Sequence, residues 1–131
     1  LWRGLEALGG VRRNGRTDGV AHILNVAFIG VHGEALAAQL PRLAASASSA
    51  CTSAQGEMSH VLRAMGVPEQ LAHASLRLSL GRFSTEQDVD LAVEWIGAAI
   101  RRLRAFSPVW RAWQAGVPEE ILYGGGASGA A

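Results

Sequence analysis

The chain has 131 residues, a hydrophobic fraction of 49%, 18% charged residues and a formal net charge of +1. That balance suits one domain with a modest core that needs neither disulfides nor metals, and gives no electrostatic footing for nucleic acid or an acidic membrane surface. A single cysteine excludes an internal disulfide framework and fits a reducing, cytoplasmic compartment, and no apolar stretch runs the roughly 20 residues of a membrane span.

In chain order, Trp2, Leu5 and Leu8 recur at helical spacing and the pattern stops at Gly9-Gly10. No apolar run follows that would mark a signal peptide, and a start at Leu1 inside a helix suggests a piece of something longer. Val11-Arg12-Arg13 reads as a short strand closed by the turn-forming run 14–19. Residues 22–29, rich in β-branched and aromatic side chains, are the best strand candidate. Residues 33–40 read as a helix that Pro41 disturbs. After a loop of small residues, Ser59 reads as the N-cap of a helix over 60–65 that Gly66 ends, and Pro68 opens another helical turn.

Residues 75–80 alternate polar and apolar, which puts Leu76, Leu78 and Leu80 on one face and Arg77 and Ser79 on the other. Ser84 with Gln87 has the spacing of a capping box that starts the longest helix. Val89, Val93, Ile96, Ile100 and Leu103 form its apolar stripe. Arg101, Arg102 and Arg104 complement the dipole in its last turns, as a solvated helix end or, alternatively, a docking patch. Ser107-Pro108 restarts a short helix carrying Trp110 and Trp113, which serve as core, interface or docking residues. The domain is expected over 1–123, with 124–131 a disordered glycine and alanine tail. The fold class is α/β: a small antiparallel or mixed sheet of two to three strands packed against helices.

Two features bear on chemistry. Cys51 lies in Ser48-Ser49-Ala50-Cys51-Thr52-Ser53, a loop over about 47–58 whose side chains are too small to hold it rigid. A lone thiol there is either a nucleophile activated by partners elsewhere in the fold or a small buried apolar residue. As a nucleophile it should be solvent-accessible, in one of the least ordered internal segments. Secondly, all 12 basic side chains are arginine, so no residue can supply a Schiff-base lysine. His60 and His73 with Cys51 match no zinc-ligand spacing, and no metal is expected; His73 reads as a packed or capping histidine.

The blocks Ser49-Ala50-Cys51-Thr52-Ser53, Ser59-His60-Val61-Leu62-Arg63-Ala64-Met65-Gly66 and the run from Leu71 to Thr85 resemble the C-terminal region of NifS/IscS-type cysteine desulfurases. Ile23-Leu24-Asn25-Val26 and Gly33-Glu34 match the same family upstream, and residues 103–110 resemble its C-terminal helix. The resemblance runs in order from about residue 22 to 123.

It implies the small C-terminal domain of a fold-type I enzyme dependent on pyridoxal 5'-phosphate. The family's cofactor lysine and ring-contacting residues lie in a large domain that precedes this stretch, so no cofactor-binding residue is assigned here. Cys51 matches the nucleophile that takes sulfur from L-cysteine as a persulfide and releases alanine. Arg77 matches the arginine that clamps the substrate carboxylate, and Asn25 joins it as a substrate-binding residue. Arg82, five residues on, is assigned instead to the structure of the Gly81 turn. Ser48, Met58 and His22 stand where the family usually has glycine, proline and asparagine, none of them a group that does chemistry.

The implied partners are a large domain in cis or in trans and a sulfur-acceptor or scaffold protein, with a homodimer for the complete enzyme. Two readings remain: part of a cysteine desulfurase, or a non-enzymatic stand-alone fragment or persulfide carrier.

Overall fold

A computed structural model describes residues 1–15, 23–43, 45–47, 60–79, 81–82 and 84–123. The elements in order are α1 (Trp2–Glu6), β1 (Val11–Asn14), β2 (Ile23–Phe28), α2 (Gly33–Ala38), β3 (Ala45–Ala47), α3 (His60–Ala64), α4 (Glu69–His73), β4 (Ser75–Ser79), α5 (Glu86–Arg104), α6 (Pro108–Gln114) and α7 (Glu119–Leu122). The strands form one antiparallel sheet in the order β1-β2-β4-β3. The α/β class expected from the sequence is therefore found, with four strands in the sheet. The additional one, β3, is a three-residue edge strand whose small side chains carry no β signal.

Alternation divides the sheet into two faces. Leu24, Val26 and Phe28 of β2 join Leu76 and Leu78 of β4 and Val11 of β1 in the main core, with Leu5, Leu36, Ile96, Ala99 and Ile100 from the helices. Each fully buried valine, leucine, isoleucine or phenylalanine among them contributes about 1.5–3 kcal/mol. On the opposite face Ala27, together with Ile29 from the turn after β2, packs with Leu71 and Tyr123, backed by Val109, Trp110 and Trp113.

The long helix begins one residue later than the Ser84–Gln87 spacing implied. Thr85 is the N-cap: its hydroxyl accepts from the Asp88 amide, and the Asp88 carboxylate accepts from the Thr85 amide. Ser84 instead accepts from the Gly81 amide at 2.9 Å, closing the turn in which the exposed Arg82 sits. The apolar stripe of α5 faces the core as expected, most deeply at Ile96 and Ile100. Ser107 caps α6 through the Trp110 amide.

Arg104 departs from a solvated helix end. It is only 5% exposed, donates from Nε to the Ile29 carbonyl and from Nη2 to the Gly10 carbonyl, and lies 3.6 Å from the Trp110 ring centroid. The helical spacing held the signal: Arg104 follows Ile100 by four residues and Ile96 by eight, on the buried stripe. Arg101 and Arg102 remain exposed.

Candidate functional site

The strand register aligns a polar row across the sheet. Asn14 of β1 pairs with Asn25 of β2, Asn25 pairs with Arg77 of β4, and Arg77 pairs with Ser46 of β3. Direct cross-strand partners hold their Cβ atoms about 4.5–5.5 Å apart, so Asn25 and Arg77 rise side by side from one face. Leu76 and Leu78, flanking Arg77, point into the core and fix that orientation. Among the described residues this end of the face stays open: Arg77 and Ser79 are exposed, and Ile23 is 42% exposed.

A hydrogen-bond network holds the row from beneath. The Asn14 side-chain amide donates to Asn25 Oδ1 at 2.9 Å and to Ser75 Oγ at 2.8 Å. The buried Ser75 hydroxyl in turn donates to the Leu71 carbonyl at 2.9 Å, tying the row to α4. With its oxygen engaged by Asn14, Asn25 keeps a fixed amide orientation beside the guanidinium. Arg77 supplies a planar fork suited to a carboxylate, and Asn25 an adjacent amide. The sequence marks Asn14 only as a turn residue, because one strand's sequence does not carry the identity of its cross-strand neighbours.

The other end of the same face is closed by α6 and α7. Arg12 Nη2 donates to Glu119 Oε1, and the Gly30 amide donates to the Tyr123 hydroxyl at 3.0 Å. Burial pushes the Arg104 guanidinium down to about 10, with Tyr123 acting in the opposite direction. Burial also raises the Tyr123 phenol, against the opposing hydrogen bond from Gly30. Trp110 and Trp113 stack with ring centroids 5.0 Å apart. His73 is a packed histidine, parallel to His32 at 6.3 Å and with Nε2 3.8 Å from Glu69 Oε1.

Of the site residues expected from the sequence, the structure brings Arg77 and Asn25 together. Cys51 and its loop lie outside the described residues, as do Ser59 and the tail. The described chain before Cys51 ends at Ala47, on the strand that pairs with the one bearing Arg77. Among the described residues no cluster of three histidine, cysteine or acidic side chains has the arrangement of a metal centre, and no helix is long and apolar enough to cross a membrane.

No protein-family model matches the chain. It is 50% identical over 118 residues to cysteine desulfurase IscS of Photorhabdus laumondii and to that of Proteus mirabilis. It is 48% identical over 118 residues to the same protein of Escherichia coli O139:H28. Each match takes in 89% of this chain and 29% of the relative, at its C-terminal part, so the chain spans under a third of the length of these relatives. Among solved structures, a NifS-like protein superposes with a TM-score of 0.60 at 26% identity, covering 77% of this chain and 25% of that one.

Proposed function

We propose that this chain, which matches the C-terminal part of cysteine desulfurases, belongs to that family and carries the sulfur-accepting half of its reaction. The observation that carries the reading is the identity over 118 residues; the Asn25–Arg77 pair on an open sheet face supports it independently.

The chain acts as one small domain, residues 1–123, beside a large domain supplied in cis or in trans. With no lysine it has no side chain to hold pyridoxal 5'-phosphate as a Schiff base, so the cofactor belongs to that large domain. When bound there, the cofactor supplies the electron sink that loosens the carbon–sulfur bond of L-cysteine. Arg77 clamps the substrate carboxylate through its guanidinium fork, and Asn25, its cross-strand neighbour, offers an amide to the same substrate. The Cys51 thiolate then attacks the substrate sulfur: a sulfur–sulfur bond forms, the carbon–sulfur bond breaks, and the released carbon takes a proton. The balance is one thiol and one L-cysteine to one persulfide and one alanine, with no external oxidant. The persulfide passes to an acceptor or scaffold protein, for iron–sulfur assembly or thiolation. The complete enzyme is a cytoplasmic homodimer.

The test is an assembled enzyme carrying Cys51→Ser. L-cysteine should still bind, while alanine release and persulfide formation are lost, since a hydroxyl does not accept sulfur. Persistent alanine release by that variant would sink the reading. A lysine-free chain also suits a stand-alone persulfide carrier; that second reading requires a chain that takes persulfide onto Cys51 from a donor yet adds no activity to any large domain.

A further inference from the structure

Behind the closed end of the sheet lies an open pocket of about 340 Å³ lined by Leu8, Arg101, Arg104, Ala105, Trp110, Arg111 and Gln114. Three of its lining residues are arginines and none is acidic, although the chain as a whole is only +1. Arg104, almost fully buried, donates to backbone carbonyls and stands on an aromatic ring, with no carboxylate against it among the described residues. A buried cation without a counter-charge is costly to keep. The C-terminal end of α5 contributes about half a negative charge, far short of three guanidiniums. Arg102, by contrast, donates to Gln39 at the C-cap of α2 and plays no part.

The same geometry decides the class of ligand. Trp110 has Arg104 on its ring at 3.6 Å and Trp113 stacked on it at 5.0 Å, so it has no free face for a nucleobase. What remains is a wall of guanidinium donors with the Gln114 amide beside them, the donor set for a compact, multiply charged oxyanion. We propose that this pocket binds a phosphate-class oxyanion between Arg101 and Arg111, over Arg104. The group is recognised for its charge and oxygens alone, so free phosphate and a phosphate ester bind alike.

The test uses the full chain titrated with inorganic phosphate at constant ionic strength, sodium chloride balancing the salt, with tryptophan fluorescence and thermal unfolding as readouts. A saturable fluorescence change and a phosphate-dependent rise in melting temperature are expected. Arg101→Gln and Arg111→Gln, both at exposed positions that leave the fold intact, should each weaken binding about tenfold, the loss of one charge-assisted contact. Adenosine monophosphate should bind no more tightly than phosphate. A response matched by sodium chloride, unchanged in the double variant, or much stronger for the nucleotide would overturn the assignment.

Discussion

Asn25 and Arg77 are direct partners across the β2–β4 ladder, and Asn14 anchors Asn25 from the opposite side through a 2.9 Å hydrogen bond. The proposed clamp is therefore a guanidinium with a fixed amide beside it, mounted on central strands rather than on a loop. In an assembled enzyme, Arg77→Ala should weaken use of L-cysteine by about 2–4 kcal/mol in kcat/KM, the scale of losing a charge-assisted bidentate pair. Arg77→Lys should restore only part, because an ammonium lacks the planar fork. Arg82→Ala, in the exposed turn after β4, should change little. The reverse order of severity would move the clamp from Arg77 to Arg82.

Asn14 is expected to act through Asn25. Asn14→Ala removes donors to both Asn25 and Ser75 and should cost the chain about 1–2 kcal/mol in unfolding free energy. Asn14→Asp keeps the shape but, as a carboxylate, has no N–H to donate, so it should not rescue. In the assembled enzyme either change should raise KM for L-cysteine more than it lowers kcat. An unaltered KM with normal folding would leave Asn14 a purely structural residue.

Much of this arrangement is legible in the sequence. The period-2 run around Arg77 and the helical stripe of α5 are long, strong patterns, and both elements form where the patterns place them. What escapes has a physical reason in each case. The strand Ala45–Ala47 contains only alanine and serine and exists through pairing with β4. The α5 start shifts by one residue because Ser84 and Thr85 are both good caps, and only the three-dimensional position of Asp88 chooses between them. Arg104 has the charge of a helix end but the position of a core residue, and position wins because two carbonyls and an aromatic ring receive it.

Two glycines with nearly the same backbone separate conformational cost from crowding. Gly30 has φ +78° and Gly66 φ +76°, both in the region an L side chain resists. A Cβ at Gly66 meets nothing within 4 Å, whereas at Gly30 it would come 2.6 Å from Trp110 Cβ and 3.0 Å from the Trp110 backbone. Gly66→Ala should therefore cost about 1–2 kcal/mol from backbone strain alone. Gly30→Ala should cost about 1–3 kcal/mol more, because helix α6 must move. Denaturant unfolding of the two variants measures the difference; equal costs would mean that α6 yields freely.

Tyr123 is the single tyrosine of the chain, so its ionisation can be followed without interference from another phenol. Burial raises it above its ordinary 10.0, so the folded chain holds that proton to higher pH than the unfolded chain does. Above pH 10 the native state then binds more protons than the unfolded one, and stability falls as pH rises through this window. Arg104 acts with the opposite sign, since a guanidinium held down to about 10 releases its proton earlier in the folded state. Donation to the Ile29 and Gly10 carbonyls and the Trp110 ring beneath it favour the charged guanidinium, however, so the phenol should dominate. Stability should be flat with respect to this group below pH 10 and decline above it, with a phenolate absorbance midpoint above 10. Tyr123→Phe should abolish that part of the decline while costing about 1 kcal/mol below it, the Gly30 amide having lost its acceptor. A phenol titrating at or below 10 in the folded chain would mean that helix α7 does not seal the sheet in solution.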